Sequence, residues 1–265
     1  MMMMKQIGLC ALMGAMLGFV GCATQQAGTS SSGSALRVGT SADYPPLSFM
    51  QGDSVAGIEV DLGLKLGEAL GQEVQFVPYA FNELIPALLR GEVDIVMSGM
   101  SVTRAREYQV GFSDSYLRNG LMAAVLSSDE GRYKTAQQVR DFNGIVGVMK
   151  NTTGEAFVKT SMKRAKLQPF DDFGKVPYYF SGRRIRMFIH DGYAIASMVA
   201  QNETELAGVW EPLTDEDLAW ALRKEDAALR QDVNALLSAW KSDGTLDEVL
   251  DRWLPFRKQI SWPKR

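Results

Sequence analysis

Twice along the chain, short runs of β-forming residues alternate with segments whose apolar residues recur at helical spacing. Residues 36–40 precede residues 60–70, in which Leu62, Leu66 and Leu70 share one helical face. Residues 74–77 precede a helix around Leu84, Ile85, Leu88 and Leu89, and residues 93–97 follow as a third strand. The rhythm returns with a strand at 145–148, a helix after Thr153, a strand at 187–189 and a helix after Gly192. Parallel strands cannot be joined by a tight turn, so a helix packed on the sheet carries each crossover. The pattern predicts an α/β protein of mainly parallel sheets flanked by helices, and two such series predict two lobes. The chain closes on a helix with the stripe Leu229, Val233, Leu236, Leu237 and Trp240, with Gly244 where a C-terminal cap belongs. A second short helix, 246–253, ends before Pro255.

The start of the chain is of another kind. A basic opening ending at Lys5 leads into residues 7–20, which carry no charge, and then into small residues before Cys22. This is the layout of an export signal, and the apolar run falls short of the about 20 residues that a spanning helix needs. Phe19-Val20-Gly21-Cys22 resembles the lipobox of bacterial lipoproteins, with Phe19 in place of the usual Leu, which implies acylation of Cys22. Cys10 falls in the removed segment, so the mature chain holds one Cys and no intramolecular disulfide; acylation accounts for that leftover Cys. One acyl chain anchors marginally and several anchor stably. Residues 23–34, rich in Gly, Ser, Thr and Gln, read as a flexible tether. The expected organisation is a signal peptide at 1–21, a tether at 22–35, a discontinuous first lobe at 36–117 and 218–265, and a second lobe at 118–217.

Charge and residue types narrow the chemistry. The 28 basic residues, less Lys5, stand against 31 acidic ones, an acidic balance that argues against a nucleic-acid partner. With His190 as the single His and no free Cys in the mature fold, neither a histidine-rich metal site nor a Cys-His nucleophile can be built. No Gly-rich phosphate loop follows the first strand; Thr40-Ser41-Ala42-Asp43-Tyr44-Pro45-Pro46 stands there. No catalytic residue, metal or cofactor is expected. Ligands of α/β sheets sit at the carboxyl ends of the strands. The loops there hold Ser41 to Tyr44, Phe81-Asn82, Ser98 to Ser101 with Arg106 beyond, Thr152 to Gly154, and His190-Asp191. One fixed cation, one carboxylate, several small donors and two rings complement a free α-amino acid, because a guanidinium can take the α-carboxylate and an aspartate the ammonium.

Leu36-Arg37-Val38-Gly39-Thr40, Gly57-Ile58-Glu59-Val60-Asp61-Leu62, Gly91-Glu92-Val93-Asp94, Ser98-Gly99-Met100-Ser101-Val102-Thr103 and Phe112-Ser113-Asp114-Ser115-Tyr116 resemble the bacterial extracellular solute-binding proteins of family 3. The resemblance runs from about Leu36 to Pro255 and weakens between Gln168 and Arg186, where Arg186 stands in the place of a usual acid. It implies a type II periplasmic-binding-protein fold, two lobes joined by a two-strand hinge near 116–120 and 216–218. It also implies roles: Arg106 for the ligand carboxylate, Gly99 and Ser101 as backbone and hydroxyl donors, and Thr153 at a helix start whose N–H groups favour an anion. Asp191 would take the ammonium, and Tyr44 and Phe81 would flank the ligand side chain. Ser41, Ser98, Met149, Gly154 and His190 are further candidates. Each has a plainer reading: Arg106 as a solvated helix charge, Asp191 or Thr153 as a helix cap, Tyr44 and Phe81 as core rings, His190 as a structural imidazole.

The implied function is delivery of an amino acid or similar small zwitterion to an ABC-type permease by an exported monomer held on the membrane through its lipid. Two alternatives share the fold. One is a cyclohexadienyl dehydratase-like enzyme, which needs a general acid in the cleft; Ala194 stands where that enzyme pattern has a glutamate, leaving Glu155 and His190 as acids. The other is a ligand-sensing lipoprotein that feeds a signalling partner. Ser41 and Met149, where relatives carry an aspartate and a polar residue, point to a polar or medium-sized neutral amino acid. The directions of Glu59 and Asp43 are left open.

Overall fold

The computed structural model describes residues 35–262. The expected signal peptide, most of the tether and the candidate acylation site Cys22 lie outside these residues.

Two five-stranded sheets organise the chain. In the first, Leu36–Thr40 lies between Val74–Pro78 and Ile95–Val96, parallel to both, and Ala221–Leu222 and Gly111–Phe112 continue the sheet antiparallel to their neighbours. In the second, Ile145–Met149 lies between Lys166–Phe170 and Met187–Asp191, again parallel to both, and Leu121–Leu126 runs antiparallel between Met187–Asp191 and Leu206–Val209. Both lobes are thus parallel at the core and antiparallel where the chain enters or leaves. All five residues of Met187–Asp191 and five of the six in Leu121–Leu126 are buried, as befits strands covered on both faces.

The chain crosses between lobes on Leu117–Asn119 and returns on Glu216–Leu218, which pair antiparallel with Glu216 opposite Asn119. This is the two-strand hinge of the type II fold. The helices Ala227–Asp243 and Thr245–Trp253 then fold back onto the first lobe, where Trp253 Nε1 donates to Asp61 Oδ2 at 2.8 Å and Arg252 pairs with the same carboxylate at 3.1 Å. Gly244 carries the left-handed φ of 88° that lets one helix stop and the next begin without strain.

The periodic helices emerge close to where the sequence puts them: Ile58–Leu70, Leu84–Leu89, Thr153–Ser161 and Gly192–Gln201. The strand expected at 93–97 is limited to Ile95–Val96, because Asp94 turns toward Arg37 and takes its backbone N–H and guanidinium at 2.6–3.0 Å. In the second lobe the polarity of such a pair is reversed: Arg186 reaches Asp129 at 2.6 and 2.8 Å. Arg186, which stands where the resemblance leads one to expect an acid, is thereby paired.

One buried carboxylate ties the first lobe to the hinge. Glu59 accepts from Gly99 N at 2.6 Å, Tyr116 Oη at 2.7 Å and Trp220 Nε1 at 2.8 Å, beneath the stacked rings of Tyr116 and Trp220, 5.4 Å apart. Three donors offset part of the cost of burying this charge, and burial still raises its pKa. Glu59 is therefore a structural acid of the interior and lies away from the cleft.

Candidate functional site

The carboxyl ends of both parallel cores face one cavity, the place where α/β sheets bind their ligands. The first lobe contributes Ser41, Asp43, Tyr44, Phe81, Asn82, Gly99, Ser101 and Arg106 to its lining. The second contributes Met149, Lys150, Thr152, Thr153, Phe170, Asp171, Phe173, His190 and Asp191.

Arg106 sits in the short helix Arg104–Glu107, started by Thr103, whose hydroxyl caps the Arg106 N–H at 3.3 Å. Its guanidinium donates to Ser101 O at 2.7 Å and, across the cleft, to Asn151 O at 3.4 Å, and lies 5.2 Å from the centre of the Phe81 ring. Among the described residues it makes no ion pair within 4.0 Å. Burial lowers its pKa while Asp191 and Glu216 oppose that shift. A desolvated, oriented cation without a carboxylate of its own is a receptor for an anion.

Asp191 ends the strand Met187–Asp191 opposite. It occupies the N-cap position of Gly192–Gln201, but its side chain makes no capping bond. Oδ2 accepts instead from the Tyr44 hydroxyl of the other lobe, and Oδ1 has no well-directed donor. Burial raises its pKa to about 6, against the lowering effects of Tyr44, the nearby Asn119 amide and Arg106. The Tyr44 hydroxyl is pushed well above its ordinary value by burial and by Asp191, so it remains a donor.

His190, buried beside Tyr44, Phe173 and Phe188, accepts the Asp191 N–H on Nδ1 at 2.7 Å. Burial drives its pKa down to about 4. The imidazole is therefore neutral near pH 7, and its 3.6 Å approach to Asp191 is no ion pair.

Of the twelve ligand-binding candidates, ten line the cavity; Ser98 and Gly154 do not. Ser98 lies behind Ser41 and orients it, donating to its hydroxyl at 3.0 Å and accepting its N–H at 2.9 Å. Gly154 packs under the helix start, where a Cβ would stand 3.0 Å from Ile189 O. Gly99 reaches the cavity, but its N–H is engaged by Glu59, so the expected backbone donor is not free. What Gly99 supplies is room: its φ is +60°, and a Cβ would lie 2.6 Å from the Tyr44 ring. The helix cap of Thr153–Ser161 is Thr152, accepting Glu155 N at 3.4 Å, so the Thr153 hydroxyl is not spent on capping.

Residues in or beside the lining also include some that sequence reasoning did not select. Phe170 and Phe173 close the second-lobe wall; Phe170 ends a strand whose run Lys166–Phe170 lacks clear alternation, and only that position could have signalled it. Glu216, on the returning hinge strand, accepts from Thr214 Oγ1 at 2.7 Å, and Ser101 and Thr153 help hold its charge. Burial and the charge of Asp191 raise its pKa. Nothing in its local sequence marks Glu216, because the hinge pairing brings it to the site.

Residues 36–256 match the sequence profile of the bacterial extracellular solute-binding proteins, family 3. The chain belongs to this family. It is 30% identical over 224 residues to a putative ABC transporter arginine-binding protein 2 of Escherichia coli K12, spanning 82% of this chain and 90% of the relative. It is 28% identical over 232 residues to the cyclohexadienyl dehydratase of Pseudomonas aeruginosa, spanning 86% and 84%. A lysine-complexed putative ABC-transporter binding component from Wolinella succinogenes superposes with a TM-score of 0.79 at 28% identity, over 83% of this chain and 95% of that one. Among the described residues, no helix is long and apolar enough to cross a membrane and no three His, Cys, Asp or Glu side chains cluster around a metal-sized space.

Proposed function

We propose that this protein binds a free amino acid between its lobes, 36–117 with 218–265 and 118–217, and delivers it to an ABC-type permease. One observation carries the reading: Arg106 on the first lobe, without an acid partner, faces Asp191 on the second, whose Oδ1 is unsatisfied. A zwitterion satisfies both. Its carboxylate meets the guanidinium with the Ser101 and Thr153 hydroxyls near, and its ammonium meets Asp191, while Tyr44 and Phe81 cover the Cα side. Because the two charges sit on different lobes, only the closed arrangement engages both ends, and ligand shifts the hinge by that differential affinity.

A dehydratase in the same family makes an enzymatic reading natural, but the two acids that the sequence offered for it, Glu155 and His190, do not favour it. Glu155 is held ionised by Lys159 at 2.8 Å and by the Asn151 N–H, with its pKa lowered, and His190 carries no proton to give as an imidazolium near pH 7. Ala194 is buried in the helix after Asp191. A binding role without catalysis accords with this. For location, we read Cys22 as the acylated end of an exported chain, held on the cell envelope by its lipid and acting as a monomer.

The test is a thermal-shift screen against the amino acids, since a ligand at 100 times its Kd stabilises the folded state by about 2.7 kcal/mol. A screen in which no amino acid raises the melting temperature refutes the proposal.

A further inference from the structure

The cavity carries more negative charge than a neutral amino acid would balance. Three carboxylates line it, Asp43, Asp171 and Asp191, against two cations, Arg106 and Lys150. Lys150 is already joined to Asp171 at 2.6 Å. On the amino-acid reading above, Arg106 and Asp191 take the two ends of the zwitterion, which leaves Asp43.

Asp43 has no partner of opposite charge. It makes no ion pair within 4.0 Å among the described residues, and the titratable groups that act on it are the neutral His190 and the like-charged Asp172, which is itself bound to Lys175 at 3.4 Å. Burial pushes its carboxyl above the usual range, against the lowering effects of the Ser41 hydroxyl and His190. Among the described residues the one side-chain donor to Asp43 is the Ser41 hydroxyl, and the cavity beyond is rich in rings: Tyr44 and Phe173 both lie against the His190 ring, at 4.9 and 5.6 Å between centres, and Phe81 and Phe170 also line it. Such rings attract a cation through their faces but donate nothing to a carboxylate. A neutral ligand closing over Asp43 would strip it of water and leave its charge to the Ser41 hydroxyl, with no opposite charge to replace the lost solvation. A ligand with a third, positive charge would leave four negative groups facing four positive ones.

We propose that the ligand side chain is cationic and that Asp43 is its counter-ion in the aromatic compartment beyond Arg106 and Asp191. The neutral ligand suggested by Ser41 and Met149 is thereby revised, because Asp43, whose direction is hidden in the sequence, turns into the cavity. This inference rests on the amino-acid reading of the same cleft and specifies its ligand class.

The test is calorimetry on the purified full-length protein with L-arginine and L-lysine against L-citrulline and L-glutamine. Citrulline keeps the length and hydrogen-bonding shape of arginine but is uncharged, so it isolates the charge. At least one of the two cations should bind about tenfold or more tighter than citrulline, the difference between a charge-assisted and a neutral hydrogen bond. Asp43→Asn should shrink that preference to about threefold or less, and Asp43→Glu should retain it. Citrulline or glutamine binding as tightly as either cation overturns the inference, as does an Asp43→Asn protein that keeps the full preference. Should that variant not fold, the wild-type panel decides alone. Neutral amino acids binding in preference would refute the cationic ligand while sparing the amino-acid reading; no binding by any member of the panel would also overturn the cationic ligand, and the thermal-shift screen of all the amino acids then decides the broader reading.

Discussion

Replacing Asp191 by Asn should make the empty protein more stable and the binding protein worse. In the folded chain burial raises the Asp191 pKa to about 6 from an ordinary 3.8. The folded state therefore holds this proton more firmly than the unfolded state does, and stability declines as pH rises from about 4 toward 6. Two pKa units at 1.4 kcal/mol each set an upper scale of about 3 kcal/mol for the burden of the ionised form above pH 6. Asn removes that charge but weakens the bond from the Tyr44 hydroxyl by about 1 kcal/mol, which leaves a net gain of about 1–2 kcal/mol. For a protein of this size that is a melting temperature higher by about 2–8 °C at pH 8. The gain should shrink on acidification and disappear near pH 5, where wild-type Asp191 is itself protonated. Thermal melts of both proteins without ligand, from pH 5 to pH 8, measure the first half. Calorimetry at pH 8 measures the second: loss of a buried carboxylate opposite the ligand ammonium should weaken binding by about 2 kcal/mol or more, some thirtyfold. An Asn variant that is less stable than wild type across the whole pH range, or that binds with unchanged affinity, would refute the reasoning.

Arg106→Ala should weaken amino-acid binding at least about thirtyfold, with Lys restoring only part because an ammonium lacks the planar fork, both read by calorimetry. Glu59→Gln turns one of three satisfied donors against an NH2 group and should lower the melting temperature by about 4–8 °C for a loss near 2 kcal/mol; an unchanged melt would show that the Glu59 network does not hold the lobe to the hinge. Wild-type protein should incorporate a palmitate analogue and partition into membranes, while Cys22→Ser should remain unlabelled; a soluble, unlabelled wild type would end the lipoprotein reading.

Periodicity makes the parallel cores visible because burial on both faces demands continuous apolar strands, and covering helices demand a 3.6-residue stripe. Leu36–Thr40, Ile145–Met149 and the helix closing at Gly244 stand in the chain as plainly as in the fold. The strand Lys166–Phe170 is not legible in this way, since its residues are only partly buried and follow no alternation. The site divides along the same line. Arg106, Asp191, Tyr44 and Phe81 sit in local motifs at strand ends, where a residue's type and its distance from the strand already restrict where it can point. Glu216 comes to lie beside the lining residues Ser101 and Thr153 through hinge pairing with Asn119, a partner 97 positions away in the chain. Gly99 carries a motif that suggests a free N–H, yet Glu59, 40 positions distant, takes it. Asp43 and Glu59 are two acids that look alike in the sequence, and packing sends one into the cleft and the other into the core. Sequence alone determined the α/β architecture, the family resemblance and the two opposed charges, because local periodicity and short motifs encode them. Only the tertiary structure decided which buried carboxylates are already compensated and which still await a ligand, because compensation depends on donors and cations brought from distant parts of the chain.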